Sequence, residues 1–326
     1  MNFFKAVVCF MTALAFLISS ACSPHVHLDI FGTEQIKEVV LEPSESKDKI
    51  LVLNLEGFIG ASFSPGLLKK EQSQISQVYY RLELASQDPH MKGVILCLDT
   101  PGGGVTATDI LYREIFEFKK KTGLPVVALM MGVAASGGYY VASACDFILA
   151  HPSSITGSIG VISIFPNFHE LMDQLGIQVN VIKSGKMKDA GSTFKELSPA
   201  EKDIFQEIVD DLHQKFLDAV YRSRKEVLSR EELKELADGR IYTASQALEL
   251  KLIDDIGYFH NAKDLIYQIA RIEEAQVVAY TYYPQKTTNI YSMESSEKNL
   301  FKENSYLKLF QSLPSGFYYL WLPHMD

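Results

Sequence analysis

A serine beside two glycines and a short run of lysines are the residues of this sequence that suggest chemistry. Ser136 lies in the segment 134–140 (AASGGYY), shortly after an apolar run at 126–130. Glycine permits a tight turn and lets backbone N–H groups approach a ligand without an intervening Cβ. A serine in such a turn exposes its hydroxyl beside main-chain donors, as a nucleophile requires, but it needs a base to remove its proton. The simpler role for Ser136 is a helix N-cap.

The base for such a nucleophile would be a histidine or a lysine. None of the eight histidines lies in a glycine-rich turn, although residues distant in sequence can meet in space. Three lysines occur within the segment 183–189 (KSGKMKD), which follows an apolar stretch. A lysine acts as a base only when its amine is uncharged, so burial must lower its pKa from about 10.4. A charged, solvated loop lysine is the ordinary alternative.

Two further glycine-rich turns, at 99–104 (DTPGGG) and 156–160 (TGSIG), also follow apolar runs. Open α/β sheets bind their ligands at such strand ends. Neither common phosphate-loop pattern occurs in these turns, so we expect no nucleotide cofactor. The Gly-x-Ser-x-Gly elbow is absent as well, because Ala134 stands two residues before Ser136.

The composition is that of an ordinary globular protein and excludes several functional classes. The chain has 326 residues, of which 47% are hydrophobic and 22% charged, enough for one large domain or two modest ones. A net charge of −9 argues against nucleic acid as the main partner, since phosphate binding needs a basic face. The four cysteines form neither a Cys-x-x-Cys pair nor a Cys/His cluster, so we expect no metal.

Short apolar runs alternate with longer helical periods after residue 50. We expect strands at 50–55, 93–98, 126–130, 147–150, 178–182 and 277–282. We expect helices near 67–87, 105–121, 136–145 and 167–175, and a longer one that begins with the capping sequence at Ser198. This alternation predicts the α/β class, with a mostly parallel sheet flanked by helices.

The N-terminal 21 residues are typical of a targeting segment. Lys5 precedes an uncharged stretch at 6–21, which is shorter than the roughly 20 residues of a membrane span but suits a signal peptide. The sequence at 17–22 (LISSAC) resembles a lipoprotein processing site, which would make Cys22 the lipidated residue. Plain secretion and an uncleaved anchor remain open. All three alternatives place the body of the protein outside the cytoplasm.

We divide the rest of the chain into three segments. The polar stretch at 22–49 predicts a tether, and 50–283 the main domain. The segment 284–326 is polar and then aromatic, with FYYLW at 317–321, which predicts an extended tail that docks on another surface.

Five segments together resemble the signal peptide peptidase A (SppA, protease IV) family. They are 99–104, 131–140, 156–161, 183–189 and 238–248, in that order. Each motif is weak alone, but the ordered set is specific, and the resemblance runs from about 50 to 257. It implies a membrane-associated serine peptidase of the bacterial cell envelope, in the short single-copy form, on a ClpP/crotonase-like α/β fold.

The resemblance also implies residue roles. Ser136 would be the nucleophile, Lys188 the general base, and Ser158 the residue that orients the lysine amine. The N–H groups of Gly103 and Gly137 would form the oxyanion hole. Thr100, where the family commonly has serine, is a departure that touches none of these roles.

Lys186 competes with Lys188 as the base, because it lies two residues away. The expected substrates are extended apolar peptides such as cleaved signal peptides. Short members of the family resemble rings, typically of eight, in which the serine and lysine come from neighbouring subunits. Two rival functions remain at this stage: a crotonase-like acyl-CoA enzyme and an inactive scaffold on the same fold.

Overall fold

The computed structural model describes residues 36–60, 73–282, 289–291 and 316–322. The predicted targeting segment and Cys22 lie outside these residues. The strands are β1 (Lys37–Glu42), β2 (Lys49–Glu56), β3 (Met91–Thr100), β4 (Gly102–Gly104), β5 (Val126–Ala135), β6 (Phe147–Ala150), β7 (Ile155–Gly157), β8 (Ile162–Ile164), β9 (Ile241–Thr243), β10 (Asp255–Ile256), β11 (Gln276–Thr281) and β12 (Gly316–Leu320). The helices are α1 (Gln74–Gln87), α2 (Val105–Thr122), α3 (Gly137–Ala142), α4 (His169–Gln174), α5 (Pro199–Arg224), α6 (Arg230–Leu236), α7 (Ala244–Glu249) and α8 (Phe259–Ala270).

The main sheet has the strand order β1-β11-β2-β3-β5-β6-β10, and β7 extends it between β5 and β9. The pairs from β11 to β10 are parallel, as is β5 with β7, whereas β1–β11 and β7–β9 are antiparallel. The predicted α/β class with a mostly parallel sheet is therefore confirmed.

The central strands are buried on both faces, which explains why they read as continuous apolar runs in the sequence. On one face, α8 packs Ala262 and Ile266 against Ile95, Val127 and other sheet residues. On the opposite face, α3 contacts both β3 and β5. Cys97 and Cys145 are free and buried, in keeping with their apolar surroundings.

The prediction of a strand at 178–182 was wrong, because these residues form no regular element. Apolar side chains along this part of the chain are exposed: Leu175, Ile177, Val179, Val181, Ile182 and Met187. The β-branched pattern is typical of a strand, but a strand also needs a partner for its backbone groups. Among the described residues, none pairs with this segment.

Two segments that the sequence placed outside the main domain contribute strands to it. Within the predicted tether, Lys37–Glu42 forms β1 and pairs with β11. Within the predicted tail, Gly316–Leu320 forms β12, the middle strand of a second sheet with the order β4-β12-β8. β12 is antiparallel to both neighbours. Over the described ranges, no helix is both long and apolar enough to cross a membrane.

Candidate active site

Ser136 lies in the turn between β5 and α3, as the sequence predicts. Its backbone has φ 50° and ψ −111°, a conformation that costs energy in a residue with a Cβ. The turn is held by two backbone bonds: Ser136 N–H donates to the Gly157 carbonyl at 2.8 Å, and Tyr140 N–H donates to the Ser136 carbonyl at 2.9 Å. The strained conformation is thus fixed by the neighbouring strand β7 and by the first turn of α3.

The side chain of Ser136 is buried and its hydroxyl is unpaired. The residue is only 1% exposed, and its Oγ has no hydrogen-bond partner among the described residues. It occupies the N-cap position of α3 but makes no capping bond, which removes the simpler role considered from the sequence. A buried unpaired hydroxyl is costly, and such groups are expected where a protein binds or transforms a ligand.

The glycine turn of β4 lies directly against this site. Gly102 has φ 97°, and a Cβ built on it would lie 2.6 Å from the Gly137 nitrogen. A Cβ on Gly103 would lie 1.9 Å from the Ile59 carbonyl oxygen. Side chains at these positions would clash with backbone atoms, so glycine is needed for the two turns to meet.

The hydrogen bonds of β4 decide which way Gly103 faces. Ile59 N–H donates to the Gly102 carbonyl, and Gly104 N–H donates to the Ile59 carbonyl. Because successive residues of a strand direct their backbone groups to alternate sides, Gly103 faces the other neighbour, β12. In that strand its register partner is Tyr319.

Tyr319 brings a peptide carbonyl to the place where the glycine turns meet. Its carbonyl oxygen lies 2.0 Å from a Cβ built on Gly102 and 3.0 Å from one built on Gly137. Trp321 N–H also donates to the Pro101 carbonyl at 2.8 Å, which continues the antiparallel pairing. An extended chain therefore passes Ser136 with one carbonyl directed at the two glycine turns.

The side chain of Tyr319 fills an aromatic pocket. It is 1% exposed and stacks on Tyr140, with 5.1 Å between ring centroids, while the Phe216 ring lies at 4.8 Å. Its hydroxyl donates to the Leu212 carbonyl at 2.9 Å. Burial raises the pKa of this phenol, so the group stays neutral and keeps its proton for that bond.

Ser158 occupies the neighbouring turn. It follows β7, has φ 49° and is buried. Its N–H donates to the Arg240 carbonyl at 2.7 Å, while Gly157 before it accepts from Ser136. The structure thus brings together four of the sequence-predicted residues: Ser136, Ser158, Gly103 and Gly137.

Lys188 does not join them within one chain. It is exposed, as is Lys186, and it lies in a turn in which its N–H donates to the Gly185 carbonyl at 3.2 Å. Ser136 Oγ has no partner among the described residues, so neither lysine amine bonds to it.

Comparison with known proteins identifies the family. Residues 118–273 match the model of peptidase family S49. A protein of Enterococcus faecium that bears the name signal peptide peptidase SppA is 34% identical over 250 residues, which cover 77% of this chain and 72% of that protein. The chain belongs to the S49 (SppA) family. It is therefore a peptidase.

Two other proteins are similar to this S49 peptidase in sequence. A protein of Methanocaldococcus jannaschii whose name describes a protease is 31% identical over 85% of this chain and 83% of its own length. Protease 4 of Haemophilus influenzae is 33% identical over 68% of this chain but only 35% of its own length.

Sequence reasoning missed two features of the structure around the candidate residues. It assigned the aromatic run at 317–321 to a docking tail but did not place it at the Ser136 turn. It also gave no role to Asp189, whose carboxylate accepts hydrogen bonds from Lys183. The aromatic run was itself a signal of burial, whereas the pairing of Asp189 depends on the folded loop.

Proposed function

We propose that this S49 peptidase is a serine endopeptidase, with Ser136 as its nucleophile and Lys188 as its general base. The observation that carries the proposal is the buried, unpaired Ser136 hydroxyl in a turn beside the Tyr319 carbonyl. The backbone of Ser136 is strained, and its hydroxyl is desolvated and makes no hydrogen bond to any residue that the structure describes. This arrangement suits a nucleophile whose hydroxyl interacts with the substrate and with a base. The rival role of inactive scaffold gives no reason to keep such a costly arrangement.

The reaction follows from these positions. Lys188, uncharged, accepts the Ser136 proton while Oγ forms a bond to the carbonyl carbon of the substrate. The Gly103 and Gly137 N–H groups stabilise the oxyanion, by about 3–4 kcal/mol for each donor. The carbon–nitrogen bond then breaks, and the lysine ammonium returns its proton to the leaving amine. Water, deprotonated by the same lysine, releases the acyl group, and Ser158 orients the amine throughout.

We propose further that Lys188 acts on the Ser136 of a neighbouring subunit. Two observations support this: Lys188 is exposed and makes no bond to Ser136 within its own chain. The segment around it also exposes apolar side chains, among them Leu175, Val181 and Ile182. Burial of such a surface by a second copy would remove water from the lysine and so favour the uncharged amine that a general base needs. A closed ring, such as an octamer, satisfies every subunit equally.

The substrates that we propose are extended apolar peptides, such as cleaved signal peptides. β12 supports this choice, because it runs as an extended strand between β4 and β8 with Tyr319 in an apolar pocket. A peptide that replaced β12 would gain main-chain hydrogen bonds along the groove and side-chain burial in the pocket. The targeting segment at 1–21, with Cys22 as a lipidation site, would keep the enzyme at the membrane of the cell envelope, outside the cytoplasm.

The test is turnover of a fluorogenic peptide with the sequence GFYYLW, taken from residues 316–321. We expect cleavage after the second tyrosine, and we expect Ser136→Ala to abolish it and to prevent labelling by a serine-reactive fluorophosphonate. Ser143→Ala is the matched control, since Ser143 is also buried but its hydroxyl already donates to the Tyr140 carbonyl. Full activity of Ser136→Ala, or labelling at another residue, would refute the assignment.

A further inference from the structure

A carboxylate joins the two ends of the loop that carries Lys188. Lys183 donates to both oxygens of Asp189 at 2.7 Å, and also to the Lys186 carbonyl at 3.0 Å. From the other side, the Lys195 amine lies 3.3 Å from Asp189 Oδ1. Asp189 thus contacts Lys183, five residues before Lys188, and Lys195, seven residues after it. The turn that carries Lys188 lies between these two contacts.

The same network connects the loop to a fixed helix start. Lys195 also donates to Glu201, whose side chain is only 1% exposed. The second carboxylate oxygen of Glu201 accepts from Ser198 N–H at 2.8 Å and from Ser198 Oγ at 2.9 Å. The bond from Ser198 N–H and the return bond from Glu201 N–H to Ser198 Oγ at 3.4 Å form the capping box of α5. The position of the loop is therefore set by the N-terminus of the longest helix among the described residues.

We propose that Asp189 is a positioning residue for catalysis, which holds the turn so that Lys188 projects toward the serine it serves. The inference rests on the proposed function, since it takes Lys188 to be the base. Asp189 acts through backbone geometry and touches neither the substrate nor the reacting atoms.

Charge balance gives the network a second property that suits this role. Asp189 is the sequence neighbour of Lys188, and an isolated carboxylate there would favour the charged ammonium over the neutral amine. The two lysines offset the two carboxylates, so the loop places no unbalanced negative charge beside the base. Hydrogen bonds from Lys183, followed by those from Lys195, lower the pKa of Asp189, which keeps it ionised as the network requires.

The alternative is a surface ion-pair cluster that adds a little stability and nothing else. The two roles differ in what they change. Exposed ion pairs contribute little to stability. If the cluster served stability alone, substitution of Asp189 should hardly affect activity. A displaced base slows the chemical step even when the substrate binds normally, and a shift of about 1 Å can cost a hundredfold in rate.

The experiment compares the full-length variants Asp189→Asn, Lys183→Met and Lys183→Arg with the parent enzyme. For each protein, kcat and KM are measured with the GFYYLW peptide as substrate, and assembly size and melting temperature are measured as well. We expect Asp189→Asn and Lys183→Met to lower kcat by about tenfold or more with KM within about twofold, and Lys183→Arg to retain most of kcat, because arginine still donates to the carboxylate. Asp88→Asn is the matched control, since its carboxylate also bonds a lysine, Lys49, and is similarly buried, with 15% of the side chain exposed against 13% for Asp189.

Two results would overturn the positioning role. One is an Asp189→Asn enzyme with unchanged kcat. The other is a loss of kcat that merely follows dissociation of the assembly or a large fall in melting temperature. Lys188→Met, measured in parallel, separates this inference from the proposed function. If that variant keeps its activity, the base itself is misassigned, whereas an inactive Lys188→Met with a fully active Asp189→Asn refutes only the role of Asp189.

Discussion

The carbonyl oxygen of Tyr319 lies 3.0 Å from the point at which a Cβ on Gly137 would stand. Gly137 directly follows Ser136, so the empty side-chain position of this glycine and the buried hydroxyl lie on either side of one peptide bond. The Tyr319 carbonyl thus borders the space next to Ser136 that a side chain at residue 137 would otherwise fill. The proposed chemistry depends on that space remaining open.

Substitution Gly137→Ala should therefore block the reaction. The new methyl group would lie 2.9 Å from Thr108 Oγ1 and 3.0 Å from the Tyr319 oxygen, closer than carbon normally approaches. We expect kcat/KM to fall by about two orders of magnitude or more, because the methyl group would push the substrate carbonyl away from its oxyanion donors. Gly160→Ala is the control, since its Cβ would meet only Gly239 at an ordinary 3.5 Å. Equal activity of the two variants would show that Gly137 does not border the reacting carbonyl.

The pocket around Tyr319 makes a prediction about substrates. Peptides that carry Phe or Ala in place of the second tyrosine of GFYYLW should be cleaved more slowly than the parent peptide. Loss of the hydroxyl removes the bond to the Leu212 carbonyl, which is worth about 0.5–1.5 kcal/mol, or roughly 2- to 12-fold in kcat/KM. Alanine also loses the stacking on Tyr140 and Phe216 and should be the poorest substrate.

The control is the same substitution at the first tyrosine of the peptide, the equivalent of Tyr318. It distinguishes recognition by the pocket around Tyr319 from a general preference for apolar peptides. If both positions respond equally to alanine, the pocket around Tyr319 does not select the residue at the cleavage site.

Local patterns predicted the parts of this fold that depend on local interactions. The turn at Ser136 followed from glycines behind a strand, and the α5 start from its capping sequence at Ser198. The segment 178–182 has the composition of a strand but no strand partner among the described residues, and its composition alone does not reveal this. The placement of β12 beside Gly103 needs a contact across more than 200 residues, which no local pattern encodes.

The Glu201 carboxylate predicts a pH-dependent stability. Its hydrogen bond from Lys195, followed by that from Ser198 N–H, lowers its pKa below the usual value of 4.5. A carboxyl group whose pKa is lower in the folded state stabilises the fold above its unfolded pKa, and that stability is lost as the pH falls through the folded pKa. Glu201→Gln should therefore unfold more easily than the parent at pH 7, by about 1.5–3 kcal/mol.

Denaturant unfolding at several pH values tests this sign. The difference between Glu201→Gln and the parent should be largest near neutral pH and should shrink below pH 4.5, because the carboxylate is protonated first in the unfolded chain and, at lower pH, in the folded protein. Glu226→Gln is the control, because the Glu226 side chain is 85% exposed and should give little change at any pH. A difference that grew toward acid pH would contradict the prediction.

The proposed division of labour between subunits predicts that two inactive variants restore each other. In mixed assemblies of Ser136→Ala and Lys188→Ala chains, a site works when an intact serine meets an intact lysine from the adjacent subunit. Random mixing in equal amounts should give about one quarter of the sites in this state, if each site draws on two different subunits of a closed ring. Peptide turnover after dissociation and reassembly of the mixture measures this recovery directly.

The control for the mixture is a double variant, Ser136→Ala with Lys188→Ala, reassembled with either single variant. Such mixtures contain an intact serine or an intact lysine but never both, so they should remain inactive at every ratio. Complementation by the two single variants alone would therefore require the serine and lysine to come from different chains. If instead both single variants are inactive and their mixture stays inactive although the chains exchange fully, the lysine acts within its own chain, and the loop around Lys188 must move to reach Ser136.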